Sequence, residues 1–322
     1  MNTRDLYARG PQVTECGLGC WQLGGGWGNP FSTETAHEIL DTAYTRGIRF
    51  YDTADVYGGG ESERCVGSFR QSHPDIFVAT KLGRRGLYPD NYTRETLREA
   101  TQRSLESLGV NRIDLTQLHC LPENVLREGK VFDWLREQQD EGLISGFGAS
   151  VETVSEGLVC LEQEGLKTLQ VIFNILRQKP LEELLPKAQE KGVGIIVRLP
   201  LASGLLTGKF TRDTQFREGD HRHAHLHGEH PESFGGIPFE KGVELADELK
   251  TMVPEGMTMV QMALRWVLDH DAVSVVIPGA SSPEQARANA AASELPPLPD
   301  ELHQQLATFY REKVHEHIRG PY

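Results

Sequence analysis

The sequence lacks the features that would direct it to a membrane, a secretory route or a nucleic acid. No run in its 322 residues approaches the roughly 18 consecutive apolar residues of a membrane helix, and its first residues lack the apolar segment of a signal peptide. Its five cysteines, an odd number without paired spacing, argue against a disulfide framework and favour reduced thiols in the cytoplasm. Lys and Arg (33) are outnumbered by Asp and Glu (46), and no basic stripe predicts nucleic-acid binding.

A glycine-rich dinucleotide-binding motif is also missing. Gly17 and Gly19 begin such a pattern after an early apolar run, but Gln22 stands where its third glycine is required and no helix follows directly. This argues against an open, doubly wound sheet, which is the alternative architecture for a chain of this composition.

What the sequence does contain is an alternation of short β-branched runs with longer stretches of helical periodicity. The predicted strands are 14–21, 47–54, 75–82, 112–119, 144–150, 168–174, 194–200 and 272–279, and predicted helices between them include 33–47, 94–109, 131–142, 153–165, 181–192 and 283–293. Eight such units predict an α/β fold: a single (β/α)8 TIM barrel over residues 1–322, with long loops at its C-terminal face, notably 207–238, and an extra C-terminal helix.

Polar side chains stand at the carboxyl ends of three consecutive predicted strands, where the active site of such a barrel lies. Asp52 and Tyr57 follow the second strand, Lys81 ends the third and His119 ends the fourth. A nearby ammonium lowers the pKa of a phenol, so Lys81 is expected to tune Tyr57 while Asp52 holds Lys81. His119 would orient a substrate carbonyl, which gives a general acid that protonates an oxygen.

Each of these four residues also has a structural interpretation: Asp52 and Tyr57 as turn residues, Lys81 as part of a strand-end salt bridge and His119 as a core histidine. Their shared position at the strand ends favours an active site instead.

Six segments, in chain order, resemble motifs of the aldo-keto reductase family. They are FYDTADVYGGGESE (50–63), VATKLG (78–83), DLTQLHC (114–120), LQVIFNIL (169–176), RLPLASGLLTGKF (198–210) and VVIPGASSPEQARANAAA (275–292). The resemblance covers nearly the whole chain. It implies an NAD(P)-dependent oxidoreductase that reduces an aldehyde or ketone by hydride transfer, with Asp52, Tyr57, Lys81 and His119 as the catalytic residues and Tyr57 as the general acid.

The same resemblance implies a set of cofactor-binding residues. They are Ser150, Gln170, Arg198, Pro200, Leu201, Ser203, Leu205, Lys209, Gly279, Ser281, Gln285 and Asn289. Two departures stand out: Val151 replaces the Asn of the family's Ser-Asn pair, and Ser281 and Gln285 stand where a Lys or Arg is common. The family generally uses NADPH, which is therefore the expected cofactor, but the missing cation makes NADH possible.

Three further features have competing interpretations. Trp21 would line the substrate pocket or be a core aromatic, and Cys120 is expected to serve packing because strand neighbours point to opposite faces. The His-rich segment 221–230 would bind a surface metal or form a mobile loop; no catalytic metal is predicted.

The expected partner is a small-molecule carbonyl compound, with the oligomeric state left open. Alternative functions are a cofactor-binding regulatory barrel with little turnover, a sugar or polyol dehydrogenase running in the oxidative direction, and a metal-dependent hydrolase using the His-rich segment.

Overall fold

A computed structural model describes residues 1–25, 32–226, 233–320 and 322 of the chain. In these residues eight parallel strands form one sheet in sequence order. After a short hairpin of β1 (Thr3–Asp5) and β2 (Gln12–Thr14), the strands are β3 (Leu18–Gly19), β4 (Phe50–Asp52), β5 (Phe77–Leu82), β6 (Leu115–His119), β7 (Phe147–Ser150), β8 (Thr168–Ile172), β9 (Gly194–Arg198) and β10 (Val273–Val276). Parallel bridges from Cys16 to Val276 and from Gly19 to Gly279 join the first and last strands. The predicted (β/α)8 barrel is therefore confirmed.

The helices lie outside the sheet and connect its strands. In the described ranges they are α1 (Thr33–Thr45), α2 (Glu61–Ser72), α3 (Arg94–Leu108), α4 (Glu123–Glu128), α5 (Lys130–Asp140), α6 (Val154–Leu161), α7 (Leu184–Glu190), α8 (His221–Leu226), α9 (Phe239–Lys250), α10 (Met259–Leu268), α11 (Pro283–Ala290) and α12 (Asp300–Phe309). The C-terminal α12 is the predicted extra helix. None of the described helices is long and apolar enough to cross a membrane.

Capping residues set the starts of several helices. Ser32 Oγ accepts a hydrogen bond from the Thr35 amide ahead of α1. Thr93 begins α3 with a capping box in which it exchanges hydrogen bonds with Thr96. These side chains satisfy amides that the first helical turn leaves without a partner, which is why the helix starts were readable from the sequence.

The start of the barrel differs from the prediction. Residues 14–21 were expected to form one strand, but Thr14 ends β2, Cys16 makes an isolated bridge, and only Leu18–Gly19 forms a strand of the eight-stranded sheet. Trp21 already begins a 3-10 helix that ends at Gly24. The hairpin β1–β2, which was not predicted, lies at the N-terminal end of the barrel. There a Cβ at Gly194 would come within 1.5 Å of the Leu6 carbonyl oxygen, so only glycine allows this approach.

Two apolar regions hold the barrel together. Inside the strands a small cluster contains Leu6, Val13, Phe50, Ala79, Leu115, Ile196, Val275 and Ile277. The larger cluster fills the space between the sheet and the helices. The interior apolar cluster lies toward the N-terminal end, which leaves the opposite end of the barrel for polar side chains.

Candidate active site

Asp52, Lys81 and Tyr57 form a hydrogen-bonded chain at the carboxyl ends of β4 and β5. The Lys81 ammonium donates to Asp52 Oδ1, to the Thr53 carbonyl oxygen at 2.8 Å and to Tyr57 Oη at 3.1 Å. The side chains of Lys81 and Asp52 are 1% and 3% exposed, so the ion pair is almost wholly removed from solvent. The sequence prediction that these three residues come together agrees with this geometry.

A glycine-rich turn places Tyr57 beside Lys81. Tyr57 begins a short helical turn that ends at Gly60, and its amide donates to the Ala54 carbonyl oxygen. Gly58 adopts φ +58°, and a Cβ there would lie 2.3 Å from the Gly24 carbonyl oxygen. The absence of a side chain therefore lets the Tyr57 turn pack directly on the loop that follows β3.

Burial leaves Tyr57 a protonated phenol at neutral pH. Burial raises the pKa of Tyr57; Lys81 lowers it and Asp52 raises it, with a net rise. Burial alone would lower the pKa of Lys81, but Asp52 and Tyr57 outweigh that effect and raise it. Lys81 therefore remains charged. It lowers the pKa of Tyr57, as expected, but the loss of hydration outweighs this attraction.

His119 faces Tyr57 from the end of β6. The two rings meet edge to face with centroids 5.9 Å apart. Burial and the positive charges of Lys81, Arg84 and Arg198 hold the pKa of His119 well below its usual value, so the imidazole is neutral. His119 Nδ1 is buried without a hydrogen-bond partner in the described part of the chain. An unpaired acceptor costs less than an unpaired N–H, which favours the tautomer with its proton on Nε2.

Two carboxamides bind the other oxygen of Asp52. Gln170 on β8 donates through Nε2 to Asp52 Oδ2 at 2.7 Å, and Gln117 on β6 donates to the same atom at 3.3 Å. Gln170 was predicted as a nicotinamide contact. In the structure its amide nitrogen donates to Asp52. Gln117 was not singled out from the sequence.

Ser150, Cys120 and Arg198 meet on the far side of His119. The Cys120 thiol lies 3.6 Å from Ser150 Oγ and 3.6 Å from an Arg198 nitrogen, and Arg198 also donates to the Val151 carbonyl oxygen at 3.2 Å. Cys120 is buried, in keeping with the packing role expected of it. Its φ of +50° breaks the strand alternation on which that prediction rested.

The predicted cofactor residues after β9 divide into buried and accessible groups. Leu205 is fully buried and Ser203 is 6% exposed, with its hydroxyl accepting from the Phe234 amide. Leu201 is half-buried and Lys209 is exposed, whereas Pro200 is buried. Of these predicted residues, Lys209 alone has an exposed side chain.

The segment between β10 and α11 contains the remaining predicted cofactor residues. Asn289 is buried and donates to the Gly279 carbonyl oxygen at 3.1 Å. Gln285 is exposed and its Oε1 accepts from the Ser281 amide at 2.9 Å and from the Ser281 hydroxyl at 3.1 Å. Glu284 lies in the first turn of α11. The start of α11 therefore offers a carboxylate and two neutral side chains, and the one cation of this helix, Arg287, lies in its last turn.

Trp21 contacts the start of the His-rich segment. Its ring meets that of His221 on α8 edge to face, with centroids 4.8 Å apart. Among residues 1–25, 32–226 and 233–320, no three His, Cys, Asp or Glu side chains gather as metal ligands do. Of the predicted His-rich segment, His227 and His230 lie outside the described residues.

Comparison with known proteins identifies the family. A model of the "Aldo/keto reductase family" matches residues 15–311. The chain belongs to the aldo/keto reductase family. Its members include proteins named as oxidoreductases, and this chain is one by membership.

Three relatives show how far the likeness of this aldo-keto reductase extends. The NADH-specific methylglyoxal reductase of Escherichia coli is 29% identical over 87% of this chain and 90% of its own. Aldo-keto reductase AKR11C1 of Bacillus halodurans, in its holo form, superposes with a TM-score of 0.78 at 27% identity, covering 99% of this chain and 100% of its own. Glycerol dehydrogenase AKR11B4 of Gluconobacter oxydans superposes with a TM-score of 0.77 at 27% identity, covering 97% of this chain and 94% of its own.

Proposed function

We propose that this aldo-keto reductase reduces a small aldehyde or ketone with a nicotinamide cofactor, using Tyr57 as the general acid. The observation that carries the proposal is the buried chain from Asp52 through Lys81 to the Tyr57 hydroxyl, with a neutral His119 beside it. A protonated phenol held next to an ammonium is suited to giving up its proton to an oxygen that gains negative charge.

The residues divide the work as follows. His119 donates from Nε2 to the substrate carbonyl oxygen and orients it, while Tyr57 transfers its proton to the same oxygen. Lys81 stabilises the phenolate that remains, and Asp52 fixes Lys81. When bound, the nicotinamide supplies a hydride to the carbonyl carbon. The reverse reaction, oxidation of an alcohol, uses Tyr57 as the base.

The residues on the Ser150 side fit a nicotinamide. Arg198 Nε is buried and has no hydrogen-bond partner within the described ranges, which costs about 1–3 kcal/mol unless a ligand accepts from it. Gln170 uses its nitrogen on Asp52, which leaves Oε1 for an amide N–H of a ligand. Ser150, Gln170 and Arg198 would therefore hold the nicotinamide end, and the 200–209 and 279–289 segments the remainder.

For the cofactor we favour NADH over NADPH. A 2'-phosphate needs a cation, but Gln285 is bound to Ser281 and the carboxylate of Glu284 lies in the same turn. Arg287 is the one Lys or Arg between 279 and 289. The relative from Escherichia coli is named as NADH-specific, which agrees with this choice. The five cysteines are all free, in keeping with a cytoplasmic setting.

The deciding experiment is a fluorescence titration of the protein with NADH and, separately, with NADPH, followed by turnover with methylglyoxal and, in the oxidative direction, glycerol. We expect saturable binding with NADH the tighter ligand, and turnover that falls by about 10²–10⁴-fold in Tyr57→Phe while NADH binding persists. If neither NADH nor NADPH binds, the proposal is refuted. Tight binding with no turnover of any carbonyl compound or alcohol would instead favour the regulatory alternative.

A further inference from the structure

Gln117 occupies an unusual place inside the barrel. Its side chain is fully buried on β6, in register with Lys81 on β5. From there it reaches past Lys81 to Asp52 on β4, where its Nε2 lies 3.3 Å from Oδ2. Gln170 Nε2 approaches the same oxygen from β8 at 2.7 Å. Asp52 thus accepts a hydrogen bond from Lys81 on Oδ1 and from two side-chain amides on Oδ2.

Packing does not explain a carboxamide at this position. Gln117 Oε1 is buried and finds no hydrogen-bond partner in the part of the chain that the structure covers. A buried acceptor without a partner destabilises the folded state. Methionine has a similar length and would fill the same space without that cost. The useful part of Gln117 is therefore the amide nitrogen that faces Asp52.

We propose that Gln117 is a positioning residue for the proton donor: with Gln170 it holds Asp52 Oδ2, so that Oδ1 is presented to Lys81 and the Lys81 ammonium is shared between Asp52 and Tyr57. This role depends on the proposed function, in which Tyr57 is the acid. In this role Gln117 touches neither substrate nor cofactor and acts only through Asp52.

Loss of the Gln117 amide changes how strongly the Lys81 ammonium interacts with Asp52 and with Tyr57. With one donor fewer, the Asp52 carboxylate draws more strongly on the Lys81 ammonium, and less of that charge is available to Tyr57. The pKa of Tyr57 then rises further. Alcohol oxidation, which requires the phenolate, is expected to suffer more near neutral pH than carbonyl reduction, which requires the phenol.

The first test needs no ligand. Urea unfolding of the parent, Gln117→Met, Asp52→Asn and the double variant gives a double-mutant cycle. In each background, Gln117→Met changes the equilibrium constant for unfolding by some factor. We expect this factor to be about five times larger in the parent than in the Asp52→Asn background. Equal effects in both backgrounds overturn the proposal, whether or not the protein proves to be a reductase.

The second test uses the pH profile of kcat in both directions with NADH. For Gln117→Met we expect the oxidation limb governed by Tyr57 to move to higher pH, with about a three- to tenfold loss of kcat near neutrality, while NADH affinity is unchanged. Thr116→Val is the matched control. It removes a buried, unpartnered hydroxyl from the adjacent strand position, on the opposite face, and should leave the profile unmoved.

If Gln117→Met does not fold, Gln117→Glu preserves the length of the side chain. A second carboxyl group against Asp52 Oδ2 must share a proton with it, so activity should be lost as the pH rises through the ionisation of the pair. A profile identical to the parent's would overturn the proposal. A parent that neither binds NADH or NADPH nor turns over any substrate refutes the reductase assignment instead, and leaves the unfolding cycle to judge Gln117.

Discussion

Lys81 and Tyr57 lie within hydrogen-bond distance, with Lys81 Nζ 3.1 Å from Tyr57 Oη, in a setting almost closed to water. The ammonium also donates to Asp52, so it is shared between a carboxylate that holds it and a phenol that it can stabilise on ionisation. In the proposed reaction, this position lets Lys81 stabilise the phenolate as Tyr57 gives up its proton near neutral pH.

Lys81→Met is expected to lower kcat for reduction by about 10²-fold or more, because the phenolate left after proton transfer loses its counter-charge. The variant also leaves Asp52 buried without its cation, so we expect a lower temperature of unfolding. Steady-state kinetics and thermal unfolding measure the two effects. Lys191→Met, which removes an exposed lysine, is the control. Retention of parent-like kcat in Lys81→Met would contradict the role given to the ammonium.

Gln285→Arg is expected to tighten NADPH binding about tenfold and to leave NADH binding nearly unchanged. The new guanidinium would stand at the start of α11, where Gln285 now bonds to Ser281, and would pair with a 2'-phosphate. Fluorescence titration with both cofactors gives the ratio of dissociation constants. Gln304→Arg, on the exposed side of α12, adds the same charge elsewhere as the control; an equal shift in both variants would show that net charge, not position, sets the preference.

The parts of the structure that were readable from the sequence have strong local signals. Most of the eight strands lie in short apolar runs with turn residues at their ends, and Ser32 and Thr93 cap the starts of α1 and α3 with their side chains. The residues of the Asp52–Lys81 pair stood out because each follows an apolar run at the same end of the predicted barrel. The assignment of residues 1–322 to one domain stays a prediction.

The parts that were missed depend on tertiary contacts. The α2 helix was not predicted, because Ser62, Glu63 and Gly67 interrupt the apolar residues of its buried face. Gln117 looks like any polar residue in a strand until β4 and β6 are brought to either side of Lys81. Cys120 reaches the site because its backbone adopts a left-handed conformation that its sequence does not announce.

Trp21→Ala is expected to raise KM for the carbonyl substrate several-fold with a smaller effect on kcat. Trp21 contacts His221, so the 3-10 helix after β3 and α8 meet through these rings, and loss of the indole removes the contact that would help to enclose the substrate. Trp21→Phe, which keeps an aromatic ring, should lie close to the parent. The measurement is steady-state kinetics at saturating NADH; a loss confined to kcat would contradict a lining role.

Asp55→Asn is expected to stabilise the protein at alkaline pH. Asp55 is 1% exposed, and neither of its carboxylate oxygens has a well-formed hydrogen bond with the residues described. Burial raises its pKa to about 7, and Glu63 adds to the rise. The folded state therefore keeps a proton that the unfolded chain has lost, and the free energy of unfolding falls as pH rises from the ordinary aspartate range to about 7. The loss approaches about 4 kcal/mol at most.

The measurement is the free energy of unfolding of parent and variant from about pH 5 to about pH 8. The asparagine stays neutral throughout, so its advantage should be small at the acidic end, grow as pH rises and level off above about pH 7. Asp90→Asn, on an exposed loop, removes the same charge without burial and should give a nearly constant difference. If Asp55→Asn tracks the parent at every pH, the buried acid is already ionised and compensated, and its burial does not destabilise the folded protein.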